Sequence, residues 1–124
     1  MPVVEIRALP QPGGVDVEHV LAAVTRELAA LLGEEPSGSW ATWEEIPPGR
    51  YAEGGDAPAH QPRTTHPPLV RVTAFEGRPP ELVARMLETV AGTLARELGL
   101  EPGNVFVRYE EQHSGRLYSG GEVR

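Results

Sequence analysis

Residues 2 to 55 return at 68 to 121 with a constant offset of 66 positions and no gap. Pro2 maps to Pro68, Val17 to Val83, Val24 to Val90 and Leu28 to Leu94. Gly33 maps to Gly99, Pro36 to Pro102, and Glu44-Glu45 to Glu110-Glu111. Gly49-Arg50 maps to Gly115-Arg116, and Gly54-Gly55 to Gly120-Gly121. Two unrelated units of similar hydrophobic spacing would not keep glycines and glutamates in register as well. The chain therefore reads as an internal duplication, and whatever one half folds into, the other half must repeat.

Each half has the order strand, helix, strand. Val4, Ile6 and Ala8 alternate with Glu5 and Arg7, a strand with one apolar face. Asp16 is a suitable N-cap, and Val17, Val20, Leu21, Val24, Leu28, Leu31 and Leu32 follow at helical spacing up to Gly33. A second strand is expected at about Ser39 to Glu45. In the other half the strand runs from Leu69 to Phe75, and Pro79-Pro80 fit a first helical turn. Val83, Met86, Leu87, Val90, Leu94 and Leu98 form the second stripe, Gly99 ends it, and Val105 to Glu110 is the last strand. A right-handed crossover makes the two strands of each unit parallel. Two units joined about a pseudo-twofold give an α/β (α+β) fold: a four-stranded mixed sheet with two helices on one face. The other face, with Glu5, Arg7, Arg71 and Thr73 among apolar neighbours, is expected to be covered by another subunit, because parallel strands seldom leave a face bare.

At 124 residues the chain holds one core, so the units 1–56 and 67–124 are expected to form a single domain joined by a Pro/Gly-rich connector. The segment from Ala52 to Pro67 is expected to be its most mobile part. With no cysteine there is no disulfide frame and no thiolate metal site. A net charge of −7 speaks against nucleic acid or an anionic membrane as partner. No apolar run approaches the ~18 residues of a membrane span, and no signal-like segment is apparent, so a cytoplasmic protein is expected. His60 and His66 in the connector, with His19 and His113 elsewhere, read as solvated side chains and not as a metal site. Neighbouring residues of a strand point to opposite faces, so Glu44-Glu45 and Glu110-Glu111 read as structural and not as an acid–base pair.

Chemistry enters at Pro2. With Met1 removed, its ring nitrogen becomes a secondary amine, a base that no internal residue supplies. An α-amino group titrates near ~7.7–8.0, and an apolar wall or a nearby cation lowers that towards the range of an effective general base.

The Pro2 start, the tandem β-α-β units, Phe75-Glu76-Gly77-Arg78 and the closing Gly115-Arg116-Leu117-Tyr118-Ser119-Gly120-Gly121-Glu122 together resemble the tautomerase superfamily. The nearest pattern is 4-oxalocrotonate tautomerase in a fused, two-unit form. The resemblance implies a tautomerase/MIF-like fold and a cofactor-independent isomerase that moves a proton in an enol, a 2-hydroxydienoic acid or an α-keto acid. It implies Pro2 as the general base and Arg78, from the other half of the same chain, as the binder of the substrate carboxylate. It also implies that single-unit hexamers become a homotrimer when fused.

Departures from the family pattern narrow the substrate. The family's second arginine falls on Trp40 and Phe106, its pocket phenylalanine on Tyr51 and Leu117, and Pro12 stands where Arg78 stands in the other half. Pro68 lies inside the chain, so its nitrogen is an amide and cannot be a base. One working site per chain is expected, and a monoacid or aryl enol suits it better than a dicarboxylate, with Phe75, Phe106 and Leu117 as an apolar wall. Hydratase and decarboxylase chemistry of the same superfamily ranks lower: Phe75 and Ser119 occupy the positions of the hydrating members' extra arginine and glutamate, and the decarboxylating members' aspartate has no counterpart near Gly38. The other reading is a non-catalytic oligomer of this fold, in which a retained Met1 keeps the Pro2 nitrogen acylated.

Overall fold

A computed structural model describes residues 1–124. The order is β1 (Val3–Ala8), α1 (Val17–Leu32), a 3-10 turn (Pro36–Gly38), β2 (Trp40–Glu45), β3 (Leu69–Phe75), α2 (Pro80–Leu98) and β4 (Phe106–Gln112). A terminal hairpin, β5 (Tyr118–Ser119) and β6 (Glu122–Val123), closes the chain. The sheet order is β2-β1-β3-β4, with β1–β2 and β3–β4 parallel and the central β1–β3 pair antiparallel.

Local chemistry sets the helix ends. The Asp16 carboxylate accepts from the His19 N–H at 3.1 Å, one of the donors that a first helical turn leaves open. Gly33 (φ 67°) and Gly99 (φ 65°) end the two helices in the left-handed conformation, which costs a residue without a Cβ little. Val20, Val24, Leu28, Met86, Val90 and Leu94 of the helices bury against Val4, Ile6, Val70, Val72 and Ala74 of the sheet. The opposite sheet face is open, and Trp40 and Phe106, equivalent residues of the two units, are 49% and 52% exposed on it. No helix is long and apolar enough to cross a membrane.

The duplication is visible atom by atom. The Trp40 N–H donates to Pro2 O and the Phe106 N–H to Pro68 O, each at 3.0 Å. The bridge Glu53↔Asp56 recurs as Ser119↔Glu122. The pseudo-twofold axis passes where a residue meets its own counterpart. In the sheet this is Glu5 with Arg71, whose Nε donates to Glu5 Oε2 at 3.1 Å. Between the helices it is Glu27 with Thr93, whose hydroxyl donates to Glu27 Oε1 at 2.9 Å. Arg96 also pairs with Glu27; this hydrogen bond, with a smaller contribution from Thr93, holds the Glu27 carboxyl below its usual range against a partial burial penalty.

The connector differs from the sequence expectation. It is pinned by polar side chains: Gln61 (4% exposed) and His66 (1%) are buried, so His66 is not a solvated loop residue. Gln61 Nε2 donates to the carbonyls of Pro62, Thr65 and His66 at 2.9, 3.2 and 2.8 Å. Asn104 Nδ2, from the second unit, donates to Pro62 O at 3.2 Å and Thr65 O at 2.9 Å. The His66 ring lies between Thr65 Oγ1 (2.9 Å) and Asp56 O (2.8 Å), with the Tyr51 ring edge-on at 5.2 Å. The Tyr51 hydroxyl donates to Pro67 O at 2.7 Å. Packing around Pro68 is therefore made from the chain's own connector, and burial pushes the Tyr51 phenol up, with the Glu53 charge adding to it.

Candidate active site

The antiparallel centre of the sheet decides which candidate residues can meet. β1 starts where β3 ends: Val3 pairs with Thr73, so continuing the register sets Pro2 beside Ala74 and Met1 beside Phe75. β2 runs parallel to β1, so the same continuation sets Ser39 beside Pro2. Arg78 follows β3 by three residues, and α1 returns antiparallel to β1 so that Glu34 comes to the same end. Pro2, Phe75 and Arg78 therefore share one end of the molecule, as expected from the sequence.

Pro2 is among the fully buried side chains, on the helix side of the sheet with Val4 and Ile6. The Arg78 side chain is only 17% exposed. Its Nη1 donates to Phe75 O at 3.3 Å, and its Nη2 lies 3.8 Å from Glu34 Oε1. Most of its fork of five N–H donors thus remains free for an oxyanion. Ser39 is 5% exposed, and its hydroxyl has no hydrogen-bond partner. A buried polar atom without a partner is costly, so this hydroxyl is a second unsatisfied group at the Pro2 end.

The terminal hairpin reaches this end too. β4 finishes with Gln112 paired to Phe75, and the Glu76 N–H donates to Gln112 O at 3.1 Å. Beyond it, the Ser114 N–H donates to Glu76 Oε2 at 2.9 Å and His113 Nδ1 lies 3.1 Å from Glu76 Oε1. The Ser114 N–H, then His113, hold the Glu76 carboxyl below its usual range, and Glu76 raises the His113 pKa above its usual value. Gly120 and Gly121 (φ 64° and 86°) make the tight turn of this hairpin, for which two consecutive positive φ angles are required. Leu117, half-buried at the hairpin root, is the counterpart of Tyr51, which touches Pro67 next to Pro68; the pseudo-twofold assigns Leu117 the matching position next to Met1 and Pro2.

Phe106 departs from the sequence expectation. It pairs with Leu69, at the start of β3, whereas Phe75 ends that strand. Six residue steps separate the two ends, about 20 Å. Within one subunit Phe106 cannot line a pocket at Pro2. It borders instead a depression of about 330 Å³ on the open sheet face, with Glu5, Arg7, Thr42, Glu44 and Arg71. In that depression Arg71 already donates to the Glu5 carboxylate, whereas the Arg78 fork at the Pro2 end keeps most of its donors free. No three His, Asp or Glu side chains come together in a way that could hold a metal ion.

Glu34, Ser39 and the Glu76–His113 pair were not singled out from the sequence. The offset of 66 contained a signal for Glu34: Arg78 with Glu34 in one place corresponds to Pro12 with Leu100 in the other.

No protein-family model matches the chain. No curated protein matches it in sequence. Among solved structures, the F6 fused 4-OT asymmetric trimer is similar at TM-score 0.82 and 16% identity, over 98% of this chain and 94% of that one. Pt0534, inactivated by 2-oxo-3-pentynoate, is similar at TM-score 0.79 and 17% identity, with the same coverage. N1, of the cis-3-chloroacrylic acid dehalogenase family, is similar at TM-score 0.73 and 17% identity, over 98% of this chain and 82% of that one. At such identities the likeness carries the fold, and this chain has the fused 4-OT fold over nearly its whole length.

Proposed function

We propose that this chain, built on the fused 4-OT fold, is a cofactor-independent keto–enol tautomerase with Pro2 as general base, active once Met1 is removed. The observation that carries the reading is the placement of a buried Pro2 and a free-forked Arg78 at the same end of the sheet. The neutral Pro2 amine takes the proton from the hydroxyl or the acidic carbon of a 2-hydroxydienoic or α-keto monoacid. The electron pair spreads over the dienolate, Arg78 holds the carboxylate and steadies that charge, and the Pro2 ammonium returns its proton at the other carbon. Apolar neighbours and the guanidinium both favour the neutral amine near neutral pH. Phe75 and Leu117 supply the apolar wall from the same chain, and Phe106 supplies its part from an adjoining copy in a homotrimer. Proton transfer ranks ahead of hydration because Ser119 stands where hydrating relatives of the fold carry glutamate.

The test has three steps. Intact mass decides whether Met1 is absent. Incubation with 2-oxo-3-pentynoate, an ynone that a free secondary amine attacks, should then add one adduct, located at Pro2 by peptide mapping. Ketonisation of phenylenolpyruvate should fall about 10²–10⁴-fold in Pro2→Ala, the usual contribution of a positioned base, whereas Arg78→Ala should mainly raise KM. Full turnover by Pro2→Ala, or labelling elsewhere, defeats the reading.

A further inference from the structure

The geometry points to Glu34 as the residue that sets the charge selectivity of the Arg78 site: it neutralises Arg78 in the resting protein, yields to one substrate carboxylate and disfavours a second. This rests on the reading of Arg78 as the carboxylate binder. Three observations carry it. The Glu34 carboxylate is 3.8 Å from Arg78 Nη2, beyond hydrogen-bond length, so it acts on the guanidinium through charge. It is not what fixes Arg78 in place, because the Phe75 carbonyl accepts from Nη1 on the other side.

The third observation comes from the duplication. At the Pro68 end, where no base can exist, the counterpart of Arg78 is Pro12 and that of Glu34 is Leu100, buried at 8% exposure. Both positions are charged at the Pro2 end and both equivalent positions are uncharged at the other, where the next residue, Glu101, pairs instead with Arg63 of the connector. A glutamate kept for solubility alone would not follow the arginine in this way.

Selectivity follows from the charges. A monocarboxylate entering the fork replaces one anion by another and leaves the site near neutral with Glu34 displaced towards water, where its 37% exposure lets it go. A second carboxylate on the ligand adds a negative charge within a Debye length of Glu34, about 8 Å at physiological salt, and no further arginine offsets it. Rejection of the wrong ligand by a like charge is a common source of specificity.

The experiment uses benzoate and terephthalate as probes, titrated calorimetrically into the full chain, with Glu34→Gln and Glu34→Asp as variants. Glu34→Gln should tighten benzoate about five-fold, the upper range for a partly exposed ion pair, and terephthalate by more than benzoate. Glu34→Asp, which keeps the charge, should restore wild-type preference between the two probes. The KM for phenylenolpyruvate should fall in Glu34→Gln by the same factor as the benzoate Kd. Weaker or unchanged benzoate binding in Glu34→Gln, or an equal gain for both probes, overturns the proposal while leaving the Pro2 chemistry standing. A tautomerase assay that fails while the benzoate and terephthalate shifts appear refutes the Pro2 reading and leaves Glu34 in its role. Absence of benzoate binding in all three proteins overturns both.

Discussion

Removing the two amides that tie down the connector should reveal a coupling larger than either amide alone suggests. The perturbations are Gln61→Met and Asn104→Leu, singly and together, each removing the donor with little change of shape. Gln61 Nε2 serves three carbonyls with two hydrogens, and Asn104 Nδ2 reaches two of the same three, those of Pro62 and Thr65. Gln61→Met therefore orphans only His66 O, a cost of about 1–3 kcal/mol, and at the same time eliminates the buried, unpartnered Gln61 Oε1, a relief of similar size. Its net effect should be about 1 kcal/mol or less. Asn104→Leu leaves its carbonyls within reach of Gln61 and should also cost about 1 kcal/mol. The double variant orphans all three carbonyls, and after the same relief the loss should reach roughly 3 kcal/mol. Urea unfolding at one fixed protein concentration gives the cycle, the concentration being held because association shifts apparent stability. Additivity of the two losses within about 0.5 kcal/mol would refute the shared-acceptor geometry.

Two further outcomes are expected. The Glu76–His113 pair should anchor the terminal hairpin only in a middle pH window. Glu76 has a lowered pKa, so its contribution is present above the usual carboxylate value of 4.5 and is lost as pH falls through the lowered one; His113 has a raised pKa, so its contribution is full below 6.5 and is lost as pH rises through the raised one. Protection of the Ser114 amide, its exchange rate taken relative to the intrinsic rate at each pH, should be greatest between those limits, and a flat protection profile from pH 3 to 9 counts against the anchor. Separately, Phe106→Asp should convert a trimer to monomers by sedimentation and cut turnover, since it charges an open sheet face proposed to be covered; an unchanged trimer places Phe106 outside the interface.

The repeating framework was legible because periodicity reports what a strand or helix buries, and the same stripes recur at a fixed offset. Val24 and Val90, Leu28 and Leu94 needed no tertiary information to be assigned to a core. The connector was not legible, since its order comes from Gln61, His66 and Asn104, polar residues that in a sequence look like any solvated loop. Their burial depends on which carbonyls the fold brings within reach. Pro2 and Arg78 were brought to one end as read, because the antiparallel centre joins the start of β1 to the end of β3. Phe106 was grouped with them on family position alone. Strand direction contained the correction: a parallel β3–β4 pair commits Phe106 to the Leu69 end.

The residues on the pseudo-twofold axis record a step that cannot easily be retraced. On a true twofold every side chain must tolerate its own image. Here the axis is occupied by unlike residues, Glu5 against Arg71 and Glu27 against Thr93. Severed at the connector, the first half would pair with itself by pressing glutamate on glutamate at both points, and the second by pressing arginine on arginine in the sheet. Covalent linkage has released these sites from self-compatibility, and each half now pairs more favourably with its sibling than with itself.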